Sequence, residues 1–226
     1  MGTIINVVAI LIGGSLGLLL RRRFPERITE TALQVMGLFT IVVGITMALQ
    51  GKELILVLIS LAVGAMLGEW LNIEGRLERF GAWLEKSLRI TKESPIKGFI
   101  DTSLVFCVGS MAIVGSITDG VKGDYSILAT KAMMDGITSI PFAAGMGPGV
   151  LGSALSILVY QGSLTLLAKQ VQPIFSPVII RELTAVGGVI VMGIGINILG
   201  LKKIRVGNFL PALFVIIGIM SVKALF

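Results

Sequence analysis

The chain has 226 residues, of which 54% are hydrophobic and 14% charged, and its mean hydropathy is +0.96. This composition excludes a soluble globular protein and predicts a multi-pass membrane protein, with the lipid bilayer as its surroundings. The net charge of +6 is typical of basic cytoplasmic loops, so we predict no nucleic-acid partner. With no histidine and a single cysteine, the sequence excludes His-ligated zinc or haem, and we predict no metal and no cofactor.

The first apolar stretch, MGTIINVVAILIGGSLGLLL, is followed at once by three arginines, Arg21, Arg22 and Arg23. A secretory signal carries its basic residues before the apolar core, so this segment is predicted to stay attached as span 1. By the positive-inside rule the arginines hold the next loop in the cytoplasm, which predicts that the N-terminus lies outside.

Seven further apolar runs, each about long enough to cross a bilayer, predict spans 2 to 8. They cover residues 32–49, 54–71, 99–117, 125–144, 150–168, 183–199 and 207–225. The predicted fold is an all-α polytopic transmembrane helix bundle, with residues 1–226 forming a single transmembrane domain.

The alternative to eight spans is seven spans with 125–144 as a re-entrant segment. Both arrangements place 13 Lys and Arg residues inside and 5 outside, so the charge rule does not choose between them. The length of 125–144 and the three basic residues in the tight loop GLKKIR favour eight spans, with both termini outside.

Between spans 3 and 4, apolar residues recur at helical spacing with charged residues on the opposite face. They are Ile73, Leu77, Phe80, Leu84 and Leu88. This pattern predicts an amphipathic helix over residues 73–90 that lies on the cytoplasmic membrane surface. Docking of a partner protein or plugging of a pore is the alternative use of this helix.

Two pairs of segments indicate an internal repeat. GGSLGLLL at 13–20 resembles QGSLTLLA at 161–168, and MGLFTIVVGITMAL at 36–49 resembles GGVIVMGIGINILG at 187–200. Spans 1–3 then correspond to spans 6–8, and because this offset is odd the two triplets are inverted. Inverted repeats are a recurrent plan of secondary transporters. Chance similarity between glycine-rich apolar helices is the alternative.

Span 5 contains two opposite charges, Lys131 and Asp135, one helical turn apart. Ionisable side chains at membrane depth are costly and mark solute or ion pathways, although a structural ion pair within the bundle is the alternative. Thr138 and Ser139 lie one turn beyond Asp135 and continue this polar face.

The neighbouring spans 4 and 6 carry polar seams at helical spacing. Their members are Ser103, Cys107 and Ser110 in span 4, and Ser153, Ser156, Tyr160 and Ser163 in span 6, with Gln161 beside them. A single seam of this kind serves helix packing in most membrane proteins. Three adjacent seams, one of them charged, predict a polar path for a small solute or ion built by spans 4, 5 and 6.

Several segments resemble a family of uncharacterised bacterial multi-pass membrane proteins represented by YdfK and YqgA. They are MGTIIN, GSLGLLLRRR, SLVFCVGSMAIVGSITDG, KAMMDGITSIPFAAGMG and YQGSLTLLA, and the likeness extends over essentially the full chain. The resemblance implies a location in the bacterial cytoplasmic (inner) membrane. It implies no substrate and no catalytic residue.

These features favour a secondary transporter or ion-translocating protein. The alternative is a non-transporting scaffold or regulatory protein that acts through the helix at 73–90. The sequence contains no Walker loop, no dinucleotide fingerprint and no CxxC pair, so we predict that the protein is not an enzyme. The 29 glycines favour close helix packing, which would also suit a homo-oligomer.

Overall fold

The computed structural model describes residues 1–21, 23, 25–77, 79 and 95–223, and this part of the chain is helical with no strand. The α-helices are α1 (Gly2–Arg21), α2 (Glu26–Ala48), α3 (Leu54–Trp70), α4 (Pro95–Cys107), α5 (Ser110–Lys122), α6 (Ser126–Met146), α7 (Gly149–Leu166), α8 (Ala168–Val171), α9 (Pro177–Ile198) and α10 (Pro211–Lys223). A 3₁₀ helix, Val206–Phe209, precedes α10.

The predicted all-α transmembrane bundle is confirmed. Among the described residues, five helices are long and apolar enough to cross a membrane, and a bent pair of shorter helices would make a sixth span. The five are Gly2–Arg21, Arg27–Ala48, Gly149–Leu166, Pro177–Ile198 and Val206–Lys223. Two helices of the predicted eight spans, α3 and α6, are not among these candidates. α3 is short, with 17 residues, and the two charges of α6 lower its hydropathy. The number of eight spans therefore stays a prediction.

Span 4 is not the continuous helix that the sequence predicts over 99–117. The chain breaks at Val108 and Gly109, where α4 and α5 meet at an angle of 63°. Gly109 is extended, and a glycine there carries little helix preference of its own. The result is two half-helices of 13 residues each, so the break lies midway along the segment.

The turns at both ends of α6 have clear chemical causes. At its start, the carboxylate of Asp124 accepts a hydrogen bond from the Ser126 amide (3.0 Å). At its end, Gly147 has φ of +83°, a conformation that favours glycine, and Pro148 follows. The helix therefore ends at the glycine- and proline-rich segment after Met146.

The chain divides into two compact units, and the first comprises Met1–Met36 and Gly81–Val171. Within it, α1 lies parallel to α6. Gly13 and Gly17 of α1 face the backbone carbonyls of Gly136 and Ile140, so closely that a methyl group at either glycine would clash. The absence of side chains on this face of α1 lets the two backbones meet.

The second unit comprises Gly37–Phe80 and Gln172–Phe226. Within it, α9 is largely buried and crosses α2 in the antiparallel direction. Gly44 faces Gly188 at this crossing, and Gly37 faces Gly195. The division into units describes packing, and the single transmembrane domain stays a prediction.

The predicted amphipathic helix is only partly described. Residues 73–77 and 79 are helical, in agreement with its first part. The remainder of the 73–90 segment, including Phe80, Leu84 and Leu88, lies outside the described residues. Its membrane-surface location stays a prediction.

Candidate functional site

The charge pair of α6 is formed and buried. The ammonium group of Lys131 donates a hydrogen bond to Oδ2 of Asp135, and the two residues are 7% and 6% exposed. The spacing of four residues on one helix explains the contact, as the sequence predicts. The pair has no net charge, which lowers the cost of holding it at membrane depth.

A side chain from α1 supplies a second hydrogen-bond donor to the carboxylate of Asp135. Nδ2 of Asn6 donates to Oδ2 of Asp135 (2.9 Å) and to Oε1 of Gln161 on α7 (3.3 Å). Asn6 and Gln161 are both fully buried. Three helices of the first unit, α1, α6 and α7, therefore meet in one polar cluster, which we define as Asn6, Lys131, Asp135 and Gln161.

The carboxylate sets the orientation of both amides. An ionised Asp135 accepts hydrogen bonds only, so the NH₂ group of Asn6 must face it. That NH₂ group also faces Gln161, so the amide oxygen of Gln161 turns toward Asn6 and its NH₂ group turns away. As a result, Oδ1 of Asn6 and Nε2 of Gln161 are buried without a hydrogen-bond partner among the described residues.

The predicted seams of spans 4 and 6 face each other. The hydroxyl of Ser103 on α4 donates to the hydroxyl of Ser156 on α7 (2.9 Å). One turn further along each helix, Cys107 and Tyr160 lie within electrostatic range of one another. Cys107 also lies within electrostatic range of both members of the charge pair.

The helix break follows a residue that interacts electrostatically with the charge pair. That residue is Cys107, the last of α4, whose thiol is influenced by Lys131 and Asp135. Backbone carbonyls at a helix C-terminus carry partial negative charge, which favours a cation nearby. Ser110, a further residue predicted for the path, is the first residue of α5 on the other side of the break.

Three predicted residues use their hydroxyl groups mainly within their own helices. Thr138 donates to the carbonyl of Met134 (2.8 Å), and Ser153 donates to that of Val150. Ser139 donates to the Gly136 carbonyl (2.8 Å) and makes a longer contact to the Ile10 carbonyl of α1 (3.4 Å). Thr138 also contacts the backbone carbonyl of Asp135 (3.2 Å), but among the described contacts none of the three hydroxyls reaches the ammonium group of Lys131 or the carboxylate of Asp135.

Two buried carboxylates that sequence reasoning missed accept hydrogen bonds at helix N-termini. In the first unit, Asp119 of α5 accepts from the backbone amide of Gly2 (3.0 Å) and from the Met1 amine (3.1 Å). In the second, Glu182 of α9 accepts from the amides of Lys52 (3.1 Å) and Glu53 (3.2 Å), where α3 begins. Each supplies negative charge where a helix dipole is positive.

Asn6 is the functional candidate that the sequence prediction lacked. It is the only strongly polar side chain in the first 20 residues apart from two hydroxyl residues, and this isolation is the signal that could have identified it. The described residues contain no group of three or more His, Cys, Asp or Glu that could hold a metal ion.

The helices and the buried polar cluster define a polytopic helical membrane protein with a buried ion pair. The chain belongs to the family described as "Protein of unknown function (DUF554)", whose model matches residues 1–221. It is 34% identical to the "Uncharacterized membrane protein YdfK" of Bacillus subtilis (strain 168), a match covering 95% of this chain and 93% of the relative.

A second relative is the "Uncharacterized protein YqgA" of Escherichia coli (strain K12). It is 31% identical, with 94% of this chain and 92% of the relative covered. No solved structure matches the chain. The family is thereby established, and the predicted resemblance is confirmed.

Proposed function

We propose that the protein is a secondary transporter or ion-translocating protein for a small polar or charged solute. Its path is lined by α4 to α7, with Asn6 of α1 as an additional member. The observation that carries the proposal is the buried cluster, in which an ion pair lies beside an unpaired amide oxygen and an unpaired amide NH₂ group.

A purely structural role accounts for this cluster poorly. Replacing a buried ion pair by apolar residues is often neutral or stabilising, so such a pair contributes little to stability. Each buried polar atom without a partner costs about 1–3 kcal/mol. Asn6 and Gln161 each contain one such atom, so the cluster bears this cost twice. A solute that binds in the cluster would supply the missing partners, which gives these residues a function.

The helix break supports the same proposal. Membrane transporters commonly place their sites at interrupted helices, where the ends of half-helices present backbone dipoles to a solute. Here the interruption between α4 and α5 begins directly after Cys107, which lies within electrostatic range of Lys131 and Asp135. We infer that the break lies close enough to the cluster for its backbone dipoles to act on a bound solute.

The direction of helix packing supports an inverted repeat. The repeat pairs α1 with α7, α2 with α9 and α3 with α10, and within its own unit each pair packs in the antiparallel direction. The repeat aligns Gly37 with Gly188 and Gly44 with Gly195. At the crossing of α2 and α9, Gly44 instead faces Gly188, and Gly37 faces Gly195. A Cβ at Gly44 would lie 2.7 Å from the Gly188 carbonyl oxygen, and one at Gly195 would lie 2.8 Å from that of Gly37. Reciprocal contacts of this kind are what a two-fold axis between the helices requires.

The proposed mechanism uses Asp135 as the exchanging group. In the described state its Oδ2 accepts hydrogen bonds from Lys131 and Asn6. When a solute or a shift of α4 draws Lys131 away, the carboxylate would bind a proton or a cation to restore neutrality. This exchange would couple movement of the solute to an ion gradient.

The test compares native protein with Asp135→Asn, which keeps the shape of the side chain but removes the charge. Purified protein is heated in the presence of NaCl, KCl, the common amino acids, acetate, succinate or citrate, and any compound that raises the melting temperature is used in proteoliposome uptake. A ligand stabilises the state that binds it. We expect one compound to raise the melting temperature of the native protein and to enter proteoliposomes that contain it. The same compound should do neither with Asp135→Asn.

The matched control is Asp124→Asn, because Asp124 is an exposed carboxylate in the loop before α6. The same compound should raise the melting temperature of this variant and be transported by it as by the native protein. Equal uptake by Asp135→Asn would refute the mechanism. A panel without any effect on native protein would favour the alternative, a scaffold acting through residues 73–90.

A further inference from the structure

The cluster has complementary features for a solute that carries both charges. On the assumption that the proposed function holds, we propose that the substrate is a small zwitterion of the α-amino-acid type. Its carboxylate would bind Lys131 and Nε2 of Gln161, and its ammonium group would bind Asp135 and Oδ1 of Asn6.

Charge balance favours a ligand without net charge over a single ion that binds alone. Lys131 and Asp135 neutralise one another in the buried state. An anion bound to Lys131 or a cation bound to Asp135 would leave a net charge at membrane depth, which is expensive. A zwitterion adds no net charge, and lying antiparallel to the Lys131–Asp135 pair it forms one new ion pair at each of its ends.

The unpaired amide atoms have the polarity that this arrangement needs. Oδ1 of Asn6 accepts hydrogen bonds only, and it belongs to the amide that already contacts the carboxylate of Asp135. An ammonium group at Asp135 would therefore find a second acceptor beside it. Nε2 of Gln161 donates only, and it suits the opposite end of the solute.

The ammonium group of Lys131 has capacity for the carboxylate. A lysine ammonium carries three N–H donors, and within the described residues its hydrogen-bond partner is Asp135. The remaining donors are available to a ligand without breaking the internal pair. Binding would then loosen that pair rather than replace it.

The contact between Lys131 and Asp135 also indicates how far apart the two charges of the solute should be. Two dipoles that lie antiparallel attract most strongly when their charges are separated by similar distances. The members of the internal pair are in direct contact, so the matching solute has its two charges close together. An α-amino acid fits this condition better than one with a longer chain between its amino and carboxyl groups.

The experiment measures binding to the purified full-length protein with glycine, β-alanine and γ-aminobutyrate, which separate the charges progressively. Glycinamide presents the ammonium group alone and acetate the carboxylate alone. We expect glycine to bind best, the longer zwitterions to bind progressively more weakly, and the two single-charge compounds to show no binding at up to about 10 mM. Uptake of labelled glycine into proteoliposomes completes the measurement.

The variant Gln161→Met removes the unpaired donor while keeping the volume of the side chain. We expect it to weaken glycine binding by at least about tenfold, because a hydrogen bond to a charged group is lost. The matched control is Gln170→Met, an exposed glutamine on α8 that should leave binding unchanged. The series of ligands on native protein remains decisive even if Gln161→Met fails to fold.

The outcomes separate this inference from the function on which it rests. Uptake of Na⁺, acetate or glycinamide that depends on Asp135, without binding of glycine, would overturn the zwitterion and leave the transporter standing. Glycine uptake that is unchanged in Asp135→Asn would overturn the proposed site and the proposed mechanism, while showing that the protein is a transporter. No binding of any zwitterion would mean that water alone satisfies the amides, and the inference would be wrong.

Discussion

At the scale of single residues, the carboxylate of Asp135 depends on a partner 129 positions away in the chain. Asn6 donates to it and to Gln161, and the amide is completely buried. One side chain thus holds α1 to α6 and α7 by hydrogen bonds rather than by apolar contact alone. In a bilayer such bonds between helices contribute to association, because lipid provides no competing partner.

This arrangement predicts the effect of Asn6→Leu. The leucine side chain is similar in size to that of asparagine but has no polar atoms. Loss of its bonds leaves Gln161 with a further unpaired atom and removes one donor from Asp135, so we expect the free energy of unfolding to fall by about 1–3 kcal/mol. The measurement is chemical or thermal unfolding in detergent. Gln170→Leu, at an exposed position, is the control and should change stability little. An equal effect of both variants would contradict the assigned role.

Glu182 gives a second prediction at this scale. Its carboxylate is fully buried and accepts from the Lys52 and Glu53 amides and from Arg181 (3.0 Å). In Glu182→Gln one oxygen becomes an NH₂ group that opposes a backbone N–H group, so we expect a loss of about 1–3 kcal/mol. Unfolding experiments would show it, with the exposed Glu30→Gln as control. Unchanged stability would mean that this cap does not hold the start of α3.

Sequence reasoning identified the charge pair because its two members lie on one helix. Periodicity relates Lys131 to Asp135, and equally Ser103 to Cys107. Asn6, Asp119 and Glu182 meet their partners through tertiary packing, which no spacing in one chain reveals. The prediction therefore found the charged centre and the facing seams, and it missed the residues that other helices bring to them.

At the scale of helices, the parallel contact of α1 and α6 depends on glycine. In Gly13→Ala the new methyl group would clash with the Gly136 carbonyl and with the hydroxyl of Ser139. Since both are part of the packed α6 surface, the helices must separate, and we expect destabilisation of about 2 kcal/mol or more. Comparison of unfolding midpoints measures the effect.

The control is Gly162→Ala on α7, where a Cβ would have nothing within 4 Å. Alanine is the better helix former, so this variant should be as stable as native protein or more stable by about 0.5–1 kcal/mol. Similar destabilisation by both changes would show that helix contact is not the cause.

The loop before α6 predicts a dependence on pH. The hydrogen bonds from the backbone and side chain of Ser126 lower the pKa of Asp124 below its usual value. A carboxyl group whose pKa is lower in the folded state contributes stability above its unfolded pKa, about 3.9. That contribution is lost as pH falls through the folded value.

We therefore expect native protein to exceed Asp124→Ala in melting temperature at neutral pH and the difference to shrink on acidification below about pH 4. Thermal unfolding across this pH range is the measurement. In Asp124→Asn the amide oxygen can still accept from the Ser126 amide but does not titrate, so the advantage of this variant over Asp124→Ala should not depend on pH. A difference that grows in acid would be opposite in sign to the prediction.

Helix boundaries were predictable where residues impose them and unpredictable where packing does. The end of α6 follows from GMGPG, whose glycines and proline stop a helix. The break at Gly109 lies in the apolar sequence FCVGSMAIVG, which is equally compatible with a continuous span. Hydropathy measures transfer into lipid and contains no information about direction, so a bend of 63° leaves no trace in it.

At the scale of the whole molecule, the number of spans decides which loops share a side of the membrane. Eight spans place Lys202 inside, whereas seven spans with a re-entrant 125–144 place it outside. Asp124 is outside in both arrangements, and Arg23 is inside in both. In a Cys107→Ser background, we expect Lys202→Cys to react with a membrane-impermeant maleimide only after permeabilisation of the cells.

Asp124→Cys serves as the outside control and should react in intact cells, since Asp124 is exposed. Arg23→Cys is the inside control. Reaction of Lys202→Cys in intact cells would establish the seven-span arrangement and with it the re-entrant reading of span 5.

The position of both charges on α6 has a consequence for how the protein enters the membrane. Lys131 and Asp135 can pair as soon as their helix forms, whereas the bond to Asn6 joins residues 129 apart and must wait for helices to associate. The helix can therefore leave the insertion machinery already neutral, at a lower cost than a helix with one charge. Moving one charge to a neighbouring helix would preserve neutrality in the finished bundle, but each of the two helices would then insert with an unpaired charge.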